Sequence, residues 1–189
     1  MTNRILTPAN QLTILRMVFI PIFVILLVYS HLGWAFFIFL LAGVTDGLDG
    51  LMARWLQQKT SLGGYLDPIA DKLLLTTSFV VLSIRNIGLP HVVPLWLTIL
   101  VISRDVILIS SAMVIIITTD HRTFRPSIYG KMTTCLQILT IVTVLYMNYR
   151  DTASGAFFWL CVITGAITVI SGLHYIYRGR KFVSDVSSS

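Results

Sequence analysis

Asp46, Asp49, Asp67 and Asp71 fall within one short stretch of a chain apolar enough on either side to lie in a bilayer. Ionisable groups at membrane depth cost roughly 2.5–3.5 kcal/mol each on insertion scales, so function is the first explanation for them. Four neighbouring carboxylates also repel one another unless cations neutralise them. Asp46 and Asp49 are three apart and Asp67 and Asp71 four apart, so on helices each pair shares a face. Hard oxygen donors select Mg²⁺ or Mn²⁺, and two such ions would balance the four negative charges. Gly50 and Ala53 follow Asp46 on the same face, where small side chains let a large ligand or another helix approach the backbone. Arg54 closes the stretch. A guanidinium beside metal ions is repelled unless an anion lies between them, and phosphate suits that gap. Metal, phosphate and arginine together outline phosphoryl transfer, with a carboxylate available to take a proton from an attacking hydroxyl.

The elements that must carry these groups are read from composition. Of 189 residues 56% are apolar and 12% charged, against about 25% charged in soluble domains, so an integral membrane protein is predicted. Six apolar stretches reach the roughly 20 residues a bilayer core requires: 11–30, 33–56, 66–84, 93–117, 129–148 and 155–177. The predicted fold is all-α, six transmembrane helices around a cytoplasm-facing polar cavity. Residues 1–183 form one domain, and Ser-rich 184–189 form a disordered tail.

Arg4, Arg54, Lys59, Lys72, Arg122, Arg125, Lys131, Arg178, Arg180 and Lys181 fall at one set of helix ends, whereas only Arg85 and Arg150 fall at the other. By the positive-inside rule both termini, and the aspartates' open end, face the cytoplasm. Trp34, Trp96 and Trp159 lie at the opposite ends, as interfacial aromatics do. The net charge of +6 then reflects topology and anionic lipid, and no nucleic acid partner is expected. Cys135 and Cys161 read as small buried hydrophobes. Gly165 and Gly172 suggest close helix packing, with a dimer contact as one use.

The pattern Asp-x2-Asp-Gly-x2-Ala-Arg-x8-Gly-x3-Asp-x3-Asp, filled by Asp46, Asp49, Gly50, Ala53, Arg54, Gly63, Asp67 and Asp71, resembles the signature of the CDP-alcohol phosphatidyltransferase family. The resemblance implies that Asp46, Asp49 and Asp67 hold two Mg²⁺ or Mn²⁺ ions, with Asp71 sharing one and acting as general base. It further implies that Gly50, Ala53 and Gly63 pack on the cytidine nucleotide of CDP-diacylglycerol and that Arg54 grips its diphosphate. An acceptor hydroxyl would attack the lipid-proximal phosphorus and CMP would leave. A homodimer in a bacterial inner membrane is expected on the same ground. Asn10, Thr13 and Arg16 resemble the N-terminal motif of phosphatidylglycerophosphate synthases and related cardiolipin synthases. That assigns Asn10 and Thr13 to the CDP-lipid. A capping role for Asn10 and interfacial snorkelling for Arg16 compete with it.

For the acceptor, Arg104, Lys131, Arg122 and Arg125 are the candidate cations. They favour a phosphorylated alcohol: glycerol 3-phosphate first, phosphatidylglycerol as the alternative, an inositol phosphate third. Arg104-Asp105 stands where phosphatidylglycerophosphate synthases usually have Arg-Glu, and resembles the eukaryote-type cardiolipin synthases instead. An internal ion pair that only supports packing is the structural alternative for Arg104 and Asp105. In a different class, the same aspartates would serve a cation transporter, which has no evident use for Gly50, Ala53 and Arg54.

Overall fold

The computed structural model describes the backbone of residues 8–56, 63–118 and 128–187, and the side chains of 14–45, 72–110 and 128–176. The described backbone forms six α-helices: α1 (Pro8–Val28), α2 (Leu32–Leu56), α3 (Gly63–Ser83), α4 (Leu95–Thr118), α5 (Ile128–Arg150) and α6 (Gly155–Ser187). They match the six apolar stretches to within a few residues except at the last end. There α6 continues to Ser187, through positions 184–187 that composition assigned to a tail. Among the described residues, α5 and Gly155–Ile176 of α6 are long and apolar enough to cross a membrane. The described apolar parts of α1, α2 and α3 are shorter.

Unlike a soluble bundle, the helices carry large apolar side chains on their exposed faces as well as in the core. Ile14, Leu15, Val18, Ile22 and Ile25 are exposed along α1, while Arg16 on the same helix is buried. Trp34 and Trp159, in the first turns of α2 and α6, are about two-thirds exposed (65% each), as interfacial anchors are.

Two compact units divide the chain. The first joins Met1–Val92 to Ile141–Ala153, and the second joins Val93–Thr140 to Ser154–Ser189. In the first unit α1 packs on both α2 and α3. The α1–α2 hairpin turns in three residues. Ser30 adopts the left-handed conformation (φ 58°), its N–H donating to Leu27 O and that of His31 to Leu26 O. These two bonds form a Schellman motif, which satisfies carbonyls that would otherwise end the helix unpaired. Asp151 (φ 49°) ends α5 similarly, with Thr152 N–H donating to Met147 O. Within this unit Phe23 and Phe39 pack with ring centroids 5.8 Å apart. Gly33 leaves room for the Tyr149 ring, whose nearest carbon would stand 2.9 Å from any Cβ placed there.

Asn148 fixes the segment after α3. Its Oδ1 accepts from His91 N–H at 3.0 Å, and its Nδ2 donates to His91 O at 2.7 Å and to Val144 O at 2.8 Å. One side chain thus pairs both backbone groups of a residue 57 positions away, as a strand neighbour would. In the second unit α4 packs on α6. Gly165 faces Trp96 of α4, whose ring lies 2.7 Å from a built Cβ, and Gly172 faces Arg104. Gly165 therefore serves close packing inside its own chain, whereas a Cβ at position 172 would meet Arg104 only at ordinary contact distance, 3.8 Å. Cys161 is buried as expected, but Cys135 is exposed, because its position on α5 falls on the outward face. Asn148→Leu leaves both backbone groups of His91 without their partner, so it should lower stability by about 2 kcal/mol. Thermal unfolding in detergent measures this, and an unchanged midpoint would show that the clamp contributes nothing.

Candidate active site

The acidic motif sits on α2 and α3. The buried face of α2 runs through Ala35, Phe39 and Ala42, and the same steps of three and four reach positions 46, 49 and 53. On α3 the buried face through Leu75, Ser78 and Leu82 steps back to positions 71 and 67. The backbone is helical at Asn10, Thr13, Asp46, Asp49, Gly50, Ala53, Arg54, Gly63, Asp67 and Asp71. The side chains of all ten lie outside the described residues. Arg122 and Arg125 lie outside them altogether. Among the described residues no three His, Cys, Asp or Glu side chains cluster as metal ligands.

The arrangement fits a pair of hard divalent ions. Every candidate donor is a carboxylate oxygen, the pairs are spaced for one helix face each, and both helices pack on α1. Arg16 of α1 is 1% exposed, so it does not snorkel to an interface. It belongs to the buried face that continues through Phe23 and Leu27, two and three turns further along the helix.

The second unit carries a buried cation. Arg104 and Asp105, in the middle of α4, are both buried, at 4% and 6% exposure. Arg104 Nη1 donates to Asp105 Oδ1 at 2.7 Å, and Nη2 donates to Ser171 Oγ of α6 at 3.1 Å. The guanidinium carbon stands 5.8 Å from the centre of the Tyr175 ring, within cation–π range. The first turn of α5 closes on the same group. A Cβ at Gly130 would lie 3.1 Å from Tyr175 Oη and 3.3 Å from Arg104 Nη2, so glycine lets the guanidinium approach the helix backbone. Lys131, the next residue, is exposed. His174 is half-buried, its ring 5.1 Å from that of Tyr129.

Arg104 is thus charged, buried and bonded on two of its three nitrogens. Its Nε has no partner among the described residues. The ion pair expected as a packing device exists, and it leaves one guanidinium N–H buried without a partner among the described residues. Sequence reading passed over Ser171, Tyr175 and Gly130. The available signal was spacing: Ser171 and Tyr175 are four apart, on one face of α6, with glycines at 130 and 172 beside Arg104.

A seam of hydroxyls lies in the same unit. Thr133 and Thr140 on α5 and Thr164, Thr168 and Ser171 on α6 are fully buried. Thr133, Thr140 and Thr168 each donate to the carbonyl four residues back, and Thr140 and Thr164 oxygens lie 3.0 Å apart. Gln137 is buried among these positions with both amide atoms unbonded among the described residues.

The acidic motif is shared with a family of known proteins. The sequence profile of that family, CDP-alcohol phosphatidyltransferase, matches residues 6–170, and the chain belongs to this family. The chain is 32% identical over 199 residues to rat cardiolipin synthase (CMP-forming), an alignment covering 95% of this chain and 64% of the rat protein. It is 31% identical over 197 residues to a probable phosphatidylglycerophosphate synthase of Mycobacterium tuberculosis, covering 97% and 86%. The human cardiolipin synthase (CMP-forming) aligns at 31% identity over the same shares as the rat protein. The chain therefore spans slightly less than two thirds of the length of the rat and human relatives.

Removing one member of a buried ion pair strands the other, at about 3–5 kcal/mol. Asp105→Asn should accordingly lower the thermal midpoint sharply, and Arg104→Met in the same chain should recover part of the loss. Additive losses in that double-mutant cycle would show that the pair is not energetically coupled.

Proposed function

We propose that the protein transfers the phosphatidyl group of CDP-diacylglycerol to a phosphate-bearing alcohol, releasing CMP, as a step of phospholipid biosynthesis. The observation that carries this reading is the acidic motif, complete at each of its eight positions on two helices that share α1 as a neighbour. Asp46, Asp49, Asp67 and Asp71 hold two Mg²⁺ or Mn²⁺ ions, which when bound neutralise the diphosphate and polarise its P–O bonds. Gly50, Ala53 and Gly63 admit the cytidine nucleotide, and Arg54 pairs with its diphosphate. Asn10 and Thr13 contribute from the start of α1.

Asp71 accepts the acceptor's hydroxyl proton as that oxygen bonds to the lipid-proximal phosphorus. The bond from this phosphorus to the bridging oxygen breaks, and its electron pair leaves with CMP. Arg104 and Lys131, with Arg122 and Arg125 in the preceding connection, attract the acceptor's phosphate. Arg104 is the strongest of these candidates because it is buried and already oriented by Asp105, Ser171 and Tyr175. A charge-assisted bond in such surroundings is worth about twice a neutral one.

Glycerol 3-phosphate is the acceptor in the first reading, giving phosphatidylglycerophosphate. Phosphatidylglycerol, giving cardiolipin, is favoured by Arg104-Asp105 and by the relatives named cardiolipin synthase. The six helices span the bilayer with both termini and the metal site toward the cytoplasm, a reading supported by the distribution of arginines and lysines. The active species is a homodimer.

Purified protein with CDP-diacylglycerol, Mg²⁺ and each acceptor in turn should release CMP and yield one of the two lipids, identified by mass. Chelation should abolish release. Asp71→Asn should reduce kcat on the order of 10²- to 10⁴-fold. Arg104→Lys, which keeps the charge but loses the planar fork, should raise the acceptor KM on the order of tenfold. Divalent-cation flux in liposomes without CMP release would replace this reading with that of a transporter.

A further inference from the structure

Arg16 has no role in the reaction as written, yet it is among the most deeply buried side chains described. Its place follows from the α1–α2 register. The two helices form a tight hairpin and run antiparallel, with Phe23 packed on Phe39. Two turns from Phe23 toward the N-terminus stands Arg16, and two turns from Phe39 toward the C-terminus stands position 46. Both steps travel about 10.5 Å in the same direction along the pair. The register also sets Leu27 beside Ala35, and both are fully buried. Arg16 is therefore level with Asp46, on the α1 face that continues through Phe23. The same helix packs on α3, which carries Asp67 and Asp71.

Arginine stays protonated at any pH the protein meets, so this position holds a fixed positive charge. On the proposed reading four carboxylates share one site, and before metal binds like charges there repel strongly. A fixed cation at their depth offsets part of that repulsion. Once two divalent ions are in place, the same cation repels them. We infer that Arg16 is a built-in counter-cation of the carboxylate cluster, level with Asp46, which holds the metal-free site together and weakens metal binding in exchange. The inference rests on the reading of the four aspartates as a metal site. It makes Arg16 a positioning residue that touches neither substrate nor the reacting atoms.

Two measurements that do not involve turnover test it. Mn²⁺ binding to the unaltered protein, followed by the loss of its free-ion paramagnetic resonance signal, tests the metal site by itself. If no Mn²⁺ binds, the metal reading fails before Arg16 is considered. With binding established, Arg16→Gln should lower the metal-free thermal midpoint and bind Mn²⁺ more tightly, by at least about threefold. Added Mn²⁺ should then raise its midpoint by more than it raises that of the unaltered protein. Arg16→Lys, which keeps the charge, should restore metal-free stability and the original affinity. Unchanged or weaker Mn²⁺ binding by Arg16→Gln would overturn the inference, as would an Arg16→Lys variant indistinguishable from Arg16→Gln. If Arg16→Gln cannot be purified even with Mn²⁺, the Arg16→Gln/Asp46→Asn pair decides. Recovery of folded protein supports charge compensation, and failure to recover it overturns the idea.

Discussion

Charge cannot rest in an apolar interior without compensation, and that constraint organises this molecule. A buried cation left alone costs several kcal/mol even after the protein relaxes around it. Arg104 meets the constraint inside the second unit through Asp105, Ser171 and the face of Tyr175. The glycine at 130 follows from this arrangement, since a side chain there would crowd the guanidinium and the Tyr175 hydroxyl. In the first unit the proposed metal site turns the constraint the other way, because four carboxylates are an excess of negative charge. Metal ions are the natural counterweight, and Arg16 stands where a permanent one would serve.

The rest of the packing is consistent with a bilayer as solvent. Large apolar side chains line the outside as well as the core, and the buried threonines Thr133, Thr140 and Thr168 return a hydrogen bond to their own helix. A hydroxyl that donates to the carbonyl four residues back keeps its lone pairs for a neighbour, as Thr140 and Thr164 show at 3.0 Å. Such contacts are modest individually, about 0.6 kcal/mol on average in membrane proteins, but they fix how helices are rotated against each other.

Hydropathy alone located all six helices, because a run of apolar residues long enough for a bilayer has few other uses. It failed at the end of α6, where helix propensity continues past the apolar run and nothing in the length rule marks a stop. The acidic motif was legible because its residue types and spacing are improbable in lipid. Of the two readings of Arg16, its burial removes the snorkelling one, and its spacing to Phe23 and Leu27 already put it on their face. Cys135 was expected inside because the residue type is usually buried, but helical phase decided the matter. Ser171 and Tyr175 were missed for a different reason. They are ordinary residues whose significance lies in what a distant helix brings beside them.

The turns at Ser30 and Asp151 bear on how the chain is assembled. Each joins two long helices through only a few residues, and each has already paired the backbone groups its helix end would leave open. A hairpin closed in this way presents little unsatisfied polarity at its tip. For α1–α2, which pack on each other, the turn leaves almost no loop between the two helices. Lengthening the Ser30 turn would add unpaired backbone polar groups at the tip of a hairpin that now has few.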